Sequence, residues 1–295
     1  MTPTRRLLLG AAATLAALPE TAMAASTAST AAPVTGLAPA PGLKLYYEVH
    51  GGPLRPGVEP FVLIPGGVMA IETAFAGRLL PILARRRPVI AIEQQGHGHT
   101  ADRPGPIDLL RLVDDNAAVL DHLGVRRAHF VGHSLGGMIS TGMAVRHPGR
   151  VASLTALSAG YTLDGMLPEL VTMQRDPTHV PSAELIPLLP TEADFKAWKA
   201  LYDRVNPNPA AFDEVLAKLN RMLADWVGWT PAELGAIRVP TLIGLGDTDF
   251  IRIEHAAEMR RLIPGSRLAV LPHTTHMSII DRGAWLEPMI REITG

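Results

Sequence analysis

From about Leu43 onward the chain alternates between two hydrophobic rhythms. Phe61-Val62-Leu63-Ile64, Pro88-Val89-Ile90-Ala91-Ile92, Ala128-His129-Phe130-Val131, Ala152 to Leu157, Pro240 to Leu245 and Arg267 to Leu271 are short runs, mostly apolar on both faces. Runs of that kind belong to parallel strands covered by helices on each side. Leu43 to His50 alternates apolar and polar residues and stops at Gly51-Gly52, which predicts an exposed strand. Between the runs the spacing becomes helical. Ile107, Leu110, Leu112, Val113, Ala117, Val119, Leu120 and Leu123 form one stripe ended by Gly124, and Ile253 to Leu262 and Trp285 to Ile293 continue the pattern. Strand and helix alternating through short connections predict an α/β protein with a doubly wound, mostly parallel sheet.

One stretch breaks the rhythm. Residues 161–235 hold no convincing strand, while Thr191 to Val205 and Pro209 to Gly228 have helical spacing. A helical cap inserted between two strands is expected there, with the core formed by 43–160 and 236–295. Between Tyr161 and Pro231 acidic residues outnumber basic ones by ten to six.

The N-terminus has a different character. Thr4-Arg5-Arg6-Leu7-Leu8-Leu9-Gly10 leads into an apolar run ending near Pro19, and Ala22-Met23-Ala24 offers a small-x-small cleavage site before Ala25. A charged start, a short apolar stretch and such a site predict an export signal over 1–24. The paired arginines resemble the twin-arginine signal of bacteria, which implies a periplasmic or secreted protein. The apolar run is too short to span a bilayer, so no stable membrane insertion is expected after cleavage. Residues 25–42 are small, uncharged and rich in Pro and Gly, and a flexible lead-in is expected.

Composition narrows the chemistry. The chain of 295 residues carries 27 basic and 28 acidic side chains, so no overall basic excess favours nucleic acid. Cysteine is absent, which removes disulfides, thiolate nucleophiles and thiolate metal sites. No cofactor is implied.

Gly132-His133-Ser134-Leu135-Gly136-Gly137 lies between the strand Ala128–Val131 and the helical run Ile139–His147. Gly-x-Ser-x-Gly in strand–turn–helix context holds a hydroxyl above the sheet on a sharp turn. The helix start behind it offers free N–H groups to a developing oxyanion.

At these residues the chain resembles the α/β-hydrolase fold superfamily, from Leu43 to the C-terminus. The resemblance implies a Ser–Asp–His order with acid and base on late loops. Gly246-Asp247-Thr248-Asp249 follows one late strand, and the family's Gly-x-x-Asp pattern selects Asp249 over Asp247. Pro272-His273-Thr274-Thr275-His276-Met277 follows the last one, and the apolar residue after the base favours His276 over His273. The backbone N–H of Leu135 is the first expected oxyanion donor. The second falls in Pro65-Gly66-Gly67-Val68, where proline replaces the family's histidine; Gly67 is preferred, with Val68 second. Glu93-Gln94-Gln95-Gly96-His97-Gly98-His99-Thr100 matches a structural loop of the family, and no metal is expected at its two histidines.

A serine nucleophile excludes relatives that attack with aspartate. It leaves esterases, lactonases, amidases, peptidases, perhydrolases and carbon–carbon bond hydrolases, which share the triad. The apolar character of 161–235 favours a small, largely apolar carboxylic ester as substrate. A carbon–carbon hydrolase, perhydrolase or peptidase is the alternative, and a non-catalytic binder a further one.

Overall fold

The computed structural model describes residues 32–176 and 178–295. The expected export signal at 1–24 lies outside them. Eight strands form one sheet: β1 Val34–Ala40, β2 Leu43–His50, β3 Phe61–Ile64, β4 Val89–Ile92, β5 Ala128–His133, β6 Val151–Leu157, β7 Thr241–Thr248 and β8 Arg267–Thr275. Their order is β1-β2-β4-β3-β5-β6-β7-β8. The first two join antiparallel, and β4 through β8 run parallel.

Helices α1 Ile71–Ala74, α2 Leu79–Ala84, α3 Leu109–His122, α4 Leu135–Arg146, α5 Pro168–Arg175, α6 Glu192–Val205, α7 Phe212–Asp225, α8 Pro231–Ala236, α9 Ile253–Leu262 and α10 Gly283–Thr294 complete the fold. Residues from α3, α4 and α9 pack with one face of the sheet through Ile64, Ile90 and Phe130. Residues from α1, α2 and α10 pack with the other through Leu63, Ala91 and Val131. Neighbours in β3, β4 and β5 therefore point into opposite layers. All residues of β3 through β6 are buried, which accounts for their unbroken apolar runs.

Two expectations for the start of the body need correction. The segment expected to be a flexible lead-in over 25–42 carries β1 from Val34 to Ala40, paired along its whole length with β2. Its sequence, VTGLAPA, gives almost no amphipathic signal because only Ala38 is buried while Val34 and Leu37 are exposed. Main-chain pairing with β2 supplies the order instead. The strand expected to be exposed, Leu43–His50, is half-buried for the same reason, with Leu45, Tyr47, Glu48 and Val49 covered.

Between β6 and β7 the described residues form α5 to α8 and short 3-10 turns, with one isolated bridge, Met166 to Ile251. Polar side chains start the helices. Thr191 and Asp194 form a capping box on α6, and Thr230 and Glu233 form another on α8, whose first residue is Pro231. This segment is fastened over the C-terminal ends of the strands. Asn206 Nδ2 donates to the Gly98 and Thr100 carbonyls at 2.7 and 3.0 Å. Lys218 pairs with Asp102 at 2.5 Å, and both side chains are largely covered. Among the described residues, no helix is long and apolar enough to cross a membrane.

Candidate active site

The turn between β5 and α4 is shaped by crowding. A Cβ on Gly132 would lie 2.0 Å from the Gly136 carbonyl oxygen, and one on Gly136 would lie 2.0 Å from that of Ile64. No side chain fits at either place, so the two glycines let strand, turn and helix close on one another. Ser134 sits at the apex with φ 53° and ψ −118°, outside the range non-glycine residues favour. Its N–H donates to the Leu157 carbonyl at 2.9 Å. Among the described residues its hydroxyl makes no hydrogen bond.

A chain of contacts returns from this turn to the late loops. Ser158, next to Leu157, donates its hydroxyl proton to Asp249 Oδ2. Asp249 Oδ1 lies 2.9 Å from His276 Nδ1 and accepts the Ile251 N–H at 2.9 Å. His276 in turn offers its carbonyl to His133 Nε2 at 2.8 Å, and His133 is the residue before Ser134. The structure thus joins Asp249 and His276 directly, and ties both to the segments flanking Ser134. Burial alone would raise the Asp249 carboxyl, but His276 and the N–H and O–H donors hold it below its usual value. An ionised carboxylate only accepts, so His276 Nδ1 carries a proton toward Asp249 and Nε2 is turned away from it. The Phe250 ring stacks on the imidazole, with centroids 3.8 Å apart.

The competing candidates are placed elsewhere. Asp247 is exposed and accepts the N–H groups of His273 and Thr274, each at 3.0 Å, so it clamps β8. His273 is exposed at this clamp. Leu135 is the first residue of α4, and its N–H has no acceptor within the helix. Pro65 to Val68 pass beside the start of α4, since Gly136 also approaches the Pro65 carbonyl. Neither Gly67 nor Val68 donates a main-chain hydrogen bond among the described residues. Val68 has φ 64°, a strained value for a β-branched residue. From above, Leu219 of α7 comes within 4.0 Å of where a Gly67 Cβ would stand.

Sequence reasoning missed two participants, Ser158 and Phe250, and placed a third, His133, only as a neighbour packed behind Ser134. Ser158 carries no motif, and only its place after β6 puts it on Asp249. Phe250 follows Asp249 in the text, but nothing there shows its stacking. His133 is a hinge between the turn and the base loop, wholly buried and pushed down to about 3 by burial and by the nearby His276. It is therefore neutral, and its Nε2 is the protonated nitrogen facing the carbonyl.

His97 and His99 do not converge. His97 is buried with Nδ1 on the Gln95 carbonyl. His99 turns outward onto Tyr46, ring centroids 4.2 Å apart. Glu72, Glu93 and His99 bring three ligand-type atoms within 4.8 Å of one another. Glu93 already accepts the N–H groups of Ile71 and His99, and its hydrogen bond to the His99 ring raises that imidazole toward its charged form. The group is a closed ionic cluster that braces the loop.

Comparison with known proteins agrees with this architecture. A family model described as the alpha/beta hydrolase fold matches residues 59–283. RutD of Azorhizobium caulinodans, by name a carbamate hydrolase, is 28% identical over 239 residues, covering 79% of this chain and 88% of its own. Some other curated relatives are matched over only 42% of their length. A hydrolase from Pseudomonas aeruginosa PA01 superposes with TM-score 0.67 at 25% identity, covering 88% of this chain and 98% of that one. A meta-cleavage product hydrolase from Pseudomonas fluorescens IP01 gives TM-score 0.70 at 21% identity, with 88% and 96% covered.

Proposed function

The chain belongs to the α/β hydrolase fold family, and on that premise we propose that it is an exported serine hydrolase acting on small, largely apolar carboxylic esters. The observation that carries the reading is the hydrogen-bonded path His133–His276–Asp249–Ser158, which closes around the strained turn at Ser134. In this reading Ser134 Oγ attacks the ester carbonyl while His276 Nε2 takes its proton. Asp249 holds the imidazole by Nδ1–H and stabilises its charged form. The carbonyl oxygen, now an oxyanion, receives the N–H groups of Leu135 and Gly67, with Val68 as the other candidate for the second. His276 then returns the proton to the departing alcohol, leaving an acyl-enzyme. Water repeats the cycle and frees the acid.

The substrate class rests on what covers the turn. Val215, Leu219 and Met222 of α7 are buried, with Leu219 reaching the Gly67 loop and Val215 packed on the Gly96 turn. These side chains offer no charge to an ionic substrate. The similarity to RutD favours a second reading, a carbamate, in which the same attack expels a nitrogen-bearing group. Export rests on Arg5-Arg6, the apolar run and Ala22-Met23-Ala24, and predicts Ala25 as the N-terminus of protein recovered from the periplasm.

Labelling by a fluorophosphonate tests the nucleophile. The folded protein should be modified at Ser134. Ser134→Ala should remove both labelling and turnover, with a loss of at least about 10⁴-fold in kcat and little change in Tm. Labelling elsewhere, or retained turnover, would overturn the reading. Side-by-side rates on short esters, aryl carbamates and dienoic diketones decide among substrate classes.

A further inference from the structure

The overall charge balance hides a segregation. Six connections enter the parallel strands at their N-terminal ends: residues 51–60, 85–88, 123–127, 147–150, 237–240 and 263–266. Together they hold eight arginines and a single carboxylate, Glu59. The opposite end, where Ser134 lies, is overhung by the segment with ten acidic and six basic residues. The molecule therefore has a basic base and an acidic roof.

Part of this arrangement is structural. Helices α2, α3, α4, α8 and α10 end at the base, and helix C-termini are partly negative. Two guanidinium groups serve them: Arg87 donates to the Thr294 and Gly295 carbonyls at the end of α10, and Arg238 to the Gly235 carbonyl of α8, while Arg150 holds the Val125 and Arg126 carbonyls of the connection after α3. Arg55, Arg85 and Arg126 do not. They are exposed, and among the described residues their side chains form neither an ion pair nor a hydrogen bond.

These three look into a row of shallow hollows. One of about 500 Å³ is walled by Arg55, Arg126, Arg127 and the exposed Val58. The next, of about 310 Å³, is walled by Arg85, Arg86 and Arg87, and Arg87 reaches back to the Glu59 carbonyl at the edge of the first. A third, of about 350 Å³, holds Arg238 and Arg267 and shares Gly295 with the second. A single small anion would need one converging pocket. Each hollow also holds one glutamate, Glu287, Glu59 or Glu292, paired with Arg86, Arg127 and Arg267 in turn, and guanidinium groups still outnumber carboxylates in all three; a row of such hollows fits an extended array of phosphates.

We propose that this base docks on an anionic phospholipid surface, with guanidinium groups on the headgroup phosphates, Val58 at the interface and the catalytic end facing away. Attraction of this kind falls steeply with salt and counts charges rather than shapes.

Co-sedimentation with vesicles tests it. The purified protein should pellet with phosphatidylcholine vesicles containing phosphatidylglycerol at low salt, be released by high salt, and ignore pure phosphatidylcholine. The triple variant Arg55→Gln, Arg85→Gln, Arg126→Gln should bind about 100-fold more weakly. The matching triple change to lysine should bind as the original does. Turnover of a soluble ester should be equal in all three proteins, because none of these residues lies at the Ser134 end. No binding to the anionic vesicles, equal binding to neutral ones, or an undiminished triple glutamine variant would each overturn the proposal. So would displacement from vesicles by lower concentrations of a duplex oligonucleotide than of free phosphatidylglycerol vesicles, since the end would then be a polynucleotide surface. Vesicle binding by a protein that turns over no ester would leave this proposal standing and remove only the catalytic one.

Discussion

The two ends of the sheet use the same strands in opposite ways. At the C-terminal end the chain is bent into conformations that side chains resist. The non-glycine residues with positive φ among those described are Val68, Ser134, Ser158 and His273, and all four lie there. At the N-terminal end positive φ is left to glycines such as Gly51, Gly57, Gly124 and Gly265, which adopt it without strain. Strain at one end only indicates a geometry held by its surroundings. The base connects strands by relaxed turns and carries charge; the top holds a few groups in place.

The sharpest way to break this contrast is to add one methyl group at each end. Gly136→Ala would drive a Cβ into the Ile64 and Pro65 carbonyls, at 2.0 and 2.7 Å, and backbone there cannot move without opening the elbow. We expect a loss of at least about 4 kcal/mol, or no soluble protein. Gly149→Ala, in the turn before β6, meets nothing within 4 Å and should change stability by no more than about 0.5 kcal/mol. Equal effects in urea unfolding would show that the elbow is no tighter than an ordinary turn.

Acid distinguishes the ends next. Burial pushes His97 and His255 down to about 4 and His133 to about 3, all at the C-terminal end of the sheet; at the base, burial with Arg87 and Arg127 nearby brings His129 to about 4. An unfolded chain protonates these imidazoles near their ordinary value, about 6.5. Between roughly pH 6.5 and 4 the unfolded state binds more protons, so stability is complete above that window and falls as pH drops through it. Each histidine contributes at most about 1.4 kcal/mol per pH unit. Burial raises the Glu93 carboxyl, which acts in the opposite direction at the acid edge. Urea midpoints at pH 7.5, 6 and 5 should fall in order, and His129→Gln should remove only the base's smaller share. A constant midpoint would contradict neutral burial of the four.

What was legible in the sequence follows the range of the forces involved. The elbow is local: Gly132, Ser134 and Gly136 stand within five residues, and their crowding is mutual. The central strands were legible because burial on both faces leaves only apolar residues. Asp249 and His276 could be singled out from Asp247 and His273 through a family resemblance, and the structure joins the chosen pair at 2.9 Å. Strand β1 was illegible because its order comes from the main chain of β2, to which its small side chains contribute little. The arginine base was invisible to a count over the whole chain, since six separated connections meet only in the fold.

Ser158 is the smallest and most discriminating test. It is invisible to motif reading, it sits at φ 50°, and its hydroxyl bonds Asp249. A residue there for shape alone would prefer glycine, which has no strain at that angle. Ser158→Gly should therefore keep or slightly raise Tm. It should also lower kcat/KM about tenfold, since one charge-assisted hydrogen bond to the acid is lost while those from His276 and the Ile251 N–H remain. Ser158→Ala should lose the same activity and remain about 1 kcal/mol less stable than Ser158→Gly, because it keeps the strain that glycine relieves. If both variants keep full activity, Asp249 is adequately held by its other two donors, and the strain at Ser158 belongs to the turn rather than to the chemistry.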